Sequence, residues 1–200
     1  YEPIAAAFDY ESQIDREELV LIVDIGGGTS DFSLVRLGPG RAGKPERRDD
    51  ILATGGVHIG GTDFDKYLSL ASVMPLLGYQ SALRSGAEIP SSYYFNLATW
   101  HTINQAYTRK SIAQLDDLVR DAREPAKLVR LQHLIIDRAG HWLAMQVEGA
   151  KIALSDQAQV ALDLERLAPP ETLLVERATF EASILSLLDA IDATVLRLLA

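Results

Sequence analysis

The chain has 200 residues, 48% of them apolar, with 28 acidic and 19 basic side chains and a net charge of −9. That balance is the wrong sign for a nucleic-acid or anionic-membrane surface, and no apolar run reaches the roughly 18 residues of a membrane-spanning helix. There is no cysteine, which excludes disulfides and thiolate metal sites and suits a reducing, cytoplasmic compartment.

In chain order, the opening "YEPIAAAFDY" has no initiator methionine and no basic run. It is therefore no signal peptide, and it reads as the interior of a longer chain whose "AAAFDY" closes a short helix. Leu19 to Asp24 is predicted as a buried strand, "SDFSLVRL" (30–37) as a second, and "ILATGGVHIGG" (51–61) as a third ending in a glycine pair. Between the last two, "GPGRAGKPERRDD" (38–50) reads as an exposed hairpin loop with a solvated basic tip. A helix follows, with Thr62 as N-cap and Asp63 and Asp65 in its first turn. Residues 78–107 are aromatic and irregular, with Tyr93, Tyr94, Phe95 and Trp100 read as packing residues rather than a binding cluster. Helices are predicted from Ser111 to about Arg123 and, as one or two pieces, from Pro125 to Ser155. A strand pair, "QAQVALDL" (157–164) and "ETLLVERA" (171–178), spans the Pro169–Pro170 turn. The last helix is capped by Thr179, with Glu181 in its first turn.

The stretch "VDIGGGTSDFS" (23–33) poses the functional question. Glycine weakens a strand or helix unless the backbone must approach something closely or take a positive φ. A Walker loop would need a lysine after the glycines, and a dinucleotide fingerprint would need a helix. Neither occurs, since residues 30–37 alternate as a strand does. A glycine hairpin between two strands remains, either plain turn chemistry or a concavity in which the amides of Gly26, Gly27, Gly28 and Thr29 meet an anion. Asp24 at the strand's end would repel a polyphosphate unless a cation intervened, which points to Mg²⁺ held through water.

Four blocks together resemble the nucleotide-binding domain of the seventy-kilodalton heat-shock chaperones (DnaK-type), members of the actin-like ATPase superfamily. They are "EPIAAAFDY" (2–10), "DIGGGTSDFS" (24–33), "GGVHIGGTDFD" (55–65), and "EGAKIALS" (148–155) followed by two strands and "RATFE" (177–181). The resemblance extends over nearly the whole chain and is weakest between about residues 75 and 145, where "MPLLG" and "DLVRDAREPAK" look more like the divergent YegD-like branch. It implies an α/β fold, an actin-like (ribonuclease H-like) lobe with an inserted α+β subdomain. Residues 1–60 and 178–200 would form the core subdomain and 61–177 the insertion. It implies ATP or ADP with Mg²⁺ as cofactors, the second phosphate loop at Asp24 and Gly26 to Thr29, and Asp31 just after it. Glu2 falls where the family has a glutamate near the metal and attacking water. Gly60 and Gly61 fall on the glycine pair that lines the cleft from the other subdomain, and Glu148, Lys151 and Ser155 on the adenosine face. Ile152 stands where the family often has an arginine stacked on adenine.

Independently of the resemblance, positions 148, 151 and 155 share one helical face. They can serve a ribose and a purine or form only a solvated Glu148–Lys151 pair. His58, His101, His133 and His141 lack metal-ligand spacing and read as packing or surface residues. The resemblance implies an ATPase whose hydrolysis moves two lobes and controls a client polypeptide, with co-chaperones or a nucleotide exchange factor as partners, and no nucleic acid or membrane. The first phosphate loop and its catalytic lysine are not in this sequence, so the chain alone is expected to fold without turning over ATP. A sugar-kinase-like phosphotransferase of the same superfamily and a non-catalytic nucleotide sensor stay open as alternatives.

Overall fold

The computed structural model describes residue 7 and residues 9–200. It is a mixed α/β structure that divides into two compact units, Tyr1–Gly61 with Ser186–Ala200, and Thr62–Leu185.

In the first unit β1 (Glu18–Ile25), β2 (Ser30–Leu37) and β3 (Ile51–Val57) form an antiparallel sheet in the order β1-β2-β3. The β1–β2 register runs from Glu18 opposite Leu37 to Ile25 opposite Ser30, so residues 26–29 are the whole of the turn. The alternation read in residues 30–37 therefore belongs to a strand, as predicted. One face of the sheet packs Val35 and Leu37 with Val20, Ile22, Ile51 and Ala7. Against the other face lies the C-terminal part of the last helix, α6 (Arg177–Leu199), and a Cβ at Gly55 would stand 3.2 Å from the Leu198 side chain. β1 is apolar on both faces, yet Leu19, Val23 and Ile25 remain exposed at the edge of the sheet.

Of the solvated tip predicted for "KPERR", Lys44, Pro45, Glu46 and Arg48 are exposed as expected, and Arg47 alone departs from it. Arg47 reaches back across 36 residues to grip both carboxylate oxygens of Glu11, at 2.8 and 2.9 Å, and also bonds Asp50. Arg41 bonds Asp50 and Glu17. Glu11 and Asp50 are each only 4% exposed, and Glu11 also accepts the Gly38 amide at 2.9 Å. A run of mixed charges reads as solvated when its partner is remote in sequence; here that partner is buried at the end of a helical stretch closing at Glu11.

The second unit is mainly helical. α1 (Gly61–Leu68) continues through a wide π turn (Ser69–Val73) and a 3₁₀ turn (Met74–Leu77). The segment predicted as irregular holds α2 (Ser92–Ala98) and a 3₁₀ run (Trp100–Tyr107), whose Tyr94, Leu97 and Ile103 are fully buried. Tyr93 is buried as well, so these two tyrosines pack as expected, while Phe95 and Trp100 are more than two-fifths exposed. Then come α3 (Arg109–Asp121), α4 (Pro125–Ile136) and α5 (Gly140–Leu154), followed by the hairpin β4 (Gln159–Leu164) and β5 (Glu171–Glu176). α3 starts two residues earlier than predicted because the Thr108 hydroxyl accepts the Ser111 amide. Leu115, Leu128, Leu131, Leu134 and Leu143 join α2 in one core.

Two predicted caps are displaced. Thr62 lies inside the first turn of α1, which begins at Gly61, and Thr179 inside that of α6, which begins at Arg177 directly after β5. Among the described residues no helix is long and apolar enough to cross a membrane.

The arginine bonds hold the Glu11 and Asp50 carboxyls below the ordinary carboxylate range, Arg47 being the main cause for each. Acids depressed in the folded state contribute stability that is complete above the unfolded value, about pH 4, and is lost as pH falls through the folded one. The urea midpoint of the chain is therefore expected to drop on acidification below about pH 4. Arg47→Met, which leaves the buried Glu11 without an arginine and Asp50 with Arg41 alone, should lower the midpoint at pH 7 and flatten its acid dependence. A variant matching the parent at pH 7 would contradict the clamp.

Candidate functional site: a glycine hairpin seated on a glycine pair

The turn between β1 and β2 is built by backbone groups. The Gly26 amide donates to the Thr29 carbonyl at 2.9 Å, closing the hairpin, and the Gly26 carbonyl accepts the Gly61 amide at 2.9 Å. The fully buried Ser30 donates its hydroxyl to the Ile59 carbonyl at 2.7 Å. Gly60 sits beneath the turn, where a Cβ would come within 2.6 Å of the Gly27 carbonyl group and the Gly28 nitrogen. Backbone cannot yield as a flexible side chain can, so only glycine fits there. Gly60 and Gly61, implied by the resemblance to come from the other subdomain, lie in the first unit, with Gly26 to Thr29. Gly26 differs from the sequence reading as well, because its amide points into the turn rather than toward an anion.

Gly27 and Gly28 behave differently. Both are exposed, neither has a positive φ, and a Cβ at either would meet nothing within 4 Å among the described residues. Neither turn geometry nor packing within the described residues asks for glycine at these positions. Glycine there costs backbone entropy, and it leaves the backbone open to close approach from outside.

Beside the turn, the sheet register sets Asp24 directly opposite Asp31, and Asp31 opposite Gly56. Paired residues of this kind point to one face, so two carboxylates stand side by side at the end of the sheet. The Thr29 hydroxyl donates to Asp31 at 3.1 Å. A Cβ at Gly56 would meet the Asp31 carboxylate at 2.7 Å, so the missing side chain makes the room that this carboxylate occupies. Like charges directly across a strand pair are destabilising. A hard divalent cation held by oxygen ligands, directly or through water, relieves them. Asp24, Asp31 and Thr29 are thus a donor set that fits Mg²⁺. Among the described residues no group of three or more His, Cys, Asp or Glu side chains is arranged as a metal cage.

In the second unit, Glu148 and Lys151 lie in α5 and Ser155 is its C-cap, with Ile152 among them and 61% exposed. Lys151 is tied to Asp65 of α1 at 2.8 Å. Burial raises the Asp65 carboxyl above its ordinary range in spite of this lysine, and the charge of Glu148 adds to the effect. Arg177 fixes the end of the same helix: its guanidinium donates to the carbonyls of Leu154 at 2.7 Å, Gln157 at 3.1 Å and Ser155 at 3.2 Å. An arginine in the first turn of its own helix opposes that helix's dipole. Arg177 instead serves the carbonyl end of α5, where a cation is favourable.

Sequence reasoning missed Gly56 and Arg177, though both left a signal: a glycine inside a strand and a cation at the wrong end of a helix. Glu2 lies outside the described residues. The four histidines form no cluster, and His141 packs against the Trp100 ring edge at 4.9 Å.

Residues 1–73 match the family model described as Hsp70 protein. A chaperone protein dnaK of Cyanophora paradoxa is 40% identical over 68 residues, covering 34% of this chain and 10% of the relative. A chaperone protein dnaK1 of Synechocystis is 46% identical over 66 residues, covering 32% and 8%. A chaperone protein HscA homolog of a Shewanella species is 32% identical over 136 residues, covering 59% and 20%. Over residues 1–73 the chain is similar to the Hsp70 family, and it spans between 8% and 20% of the length of these relatives.

Two alanine substitutions separate the fold's glycines from the rest. Gly60→Ala is expected to lower unfolding free energy by about 1–3 kcal/mol, the usual cost of an overpacked position. Gly28→Ala should stay within about 0.5 kcal/mol of the parent. Urea denaturation measures both, and equal effects would contradict the distinction drawn between the two.

Proposed function

We propose that this chain supplies part of the nucleotide site of a chaperone-type ATPase with an actin-like fold, in which the Gly27–Gly28–Thr29 backbone receives phosphate. The observation that carries this reading is the pair of exposed glycines at 27 and 28, which nothing described in the fold requires. Asp24 and Asp31 hold Mg²⁺, Asp24 through water, and Thr29 completes their polar edge. When bound, the ion would neutralise phosphate charge, and the residues of this chain position it. Glu2 belongs to the same reading as a residue near the attacking water. Glu148, Lys151 and Ser155 meet the nucleoside, and the exposed Ile152 offers apolar surface to the base in place of a stacking arginine. Residues 1–60 with 178–200 are the core subdomain of the lobe and 61–177 its insertion. In the whole protein, hydrolysis moves the lobes and so controls a client polypeptide, with co-chaperones or an exchange factor acting on the cycle.

The test is single-turnover ATP hydrolysis by the whole protein. Asp24→Asn should slow it by on the order of 10² or more, since positioned charge carries effects of that size. Gly28→Ala should weaken nucleotide binding while leaving stability unchanged, and Lys151→Ala should weaken it through the nucleoside. This chain alone should turn over ATP far more slowly than the whole protein, because water screens a half-built phosphate site. Robust hydrolysis by the chain alone would contradict the half-site, and an unimpaired Asp24→Asn protein would remove the metal role. Tight ATP binding without turnover would favour a nucleotide sensor, and phosphate transfer to a small hydroxylated acceptor a kinase-like enzyme.

A further inference from the structure

The second unit holds a cavity of about 240 Å³ lined by residues of α1, α2 and α5. Its apolar wall is Leu97, Ala98, Ala144 and Val147, with the indole of Trp100 beside them. Leu97 and Val147 are buried to 1% exposure, so this wall is fixed by the core, whereas Trp100 is 49% exposed. The Trp100 and His141 rings meet nearly at right angles, with centroids 4.9 Å apart. The polar lining is Thr62, Ser69, Asp65 and Glu148.

The charges are unequal. Asp65 and Glu148 are both acids, and Lys151, 2.8 Å from Asp65, brings one positive charge to the two. The lining therefore joins an apolar slot, an aromatic face and a net negative charge. A cation over an indole face is attracted by the ring quadrupole, and a carboxylate beside it makes the stronger, charge-assisted kind of hydrogen bond. The size of the slot narrows the ligand further. A cavity of about 150 Å³ suffices for benzene, and drug-sized ligands occupy roughly 300 Å³ or more. One aromatic ring with a short arm fits between these limits. A nucleoside phosphate fails on both size and charge.

We propose that this cavity is a binding site for small arylalkyl ammonium compounds, with the ring against Leu97, Ala144 and Val147 and the ammonium group between Glu148 and the Trp100 ring. It is a different site from the phosphate-binding turn, it shares Glu148 with the proposed nucleoside face, and it is tested in the absence of nucleotide.

Two-dimensional ¹H–¹⁵N NMR titration of the 200-residue chain tests it, with 2-phenylethylammonium chloride as probe and 2-phenylethanol as the neutral control. The ammonium is expected to bind saturably, to shift the amides of Leu97, Ala98, Trp100 and Val147, and to bind about tenfold more tightly than the alcohol. Glu148→Gln should remove most of that preference without changing the affinity for the alcohol. Ala144→Leu, which fills the slot, should abolish binding of both. If that variant does not fold, Trp100→Ala at its half-exposed position should still weaken the ammonium selectively. Equal affinities for the two compounds, shifts that miss the cavity, or no saturable binding of the ammonium would overturn the proposal.

Discussion

A side chain at position 60 would have to pass through the peptide between Gly27 and Gly28, since a Cβ there would come within 2.6 Å of three backbone atoms. That closeness of two main chains is the constraint on which the first unit depends. It sets the height of the hairpin turn above the end of β3. It lets Gly61 donate to Gly26, and it goes with the buried Ser30 hydroxyl bond to Ile59. With three such bonds, the turn is held from below and closed from within. Its outer edge, Gly27 to Thr29, can then stay exposed and still be positioned, as an anion site built from backbone requires.

The same economy of side chains shapes the sheet beside the turn. Gly56 makes room for the Asp31 carboxylate, and Gly55, on the opposite face, lets α6 come close to β3. Two consecutive glycines would ordinarily weaken a strand. Here the antiparallel neighbour on one side and the helix on the other restore the order. Away from this end, the Arg41–Arg47–Glu11–Asp50 clamp fixes the long β2–β3 loop by charge rather than by apolar burial.

Much of this was legible in the sequence, for identifiable reasons. The strands flanking the turn announced themselves by alternation, and the hairpin followed from the absence of a helix after the glycines. Pro125 marked a helix start, and Glu148 and Lys151 fall on one helix that ends at Ser155. What escaped were interactions between distant segments. The Glu11–Arg47 bond spans 36 residues and draws one arginine of an otherwise exposed loop onto a buried carboxylate. The tight packing around Tyr94 and Leu97 is set by α4 and α5, which local sequence cannot reveal. The three glycines of the turn looked alike as letters. The fold divides them: Gly26 closes the turn, while a Cβ at Gly27 or Gly28 would meet no described atom within 4 Å.

The central claim is that the backbone of Gly27, Gly28 and Thr29 receives phosphate. The most direct measurement is ¹⁵N chemical-shift mapping of the chain, selectively labelled at glycine and threonine, during titration with ADP and Mg²⁺. The largest shifts should fall on Gly27, Gly28 and Thr29, with Gly26 moving less because its amide is already bonded within the turn. Saturable binding of ADP that leaves these three amides unmoved would contradict the account.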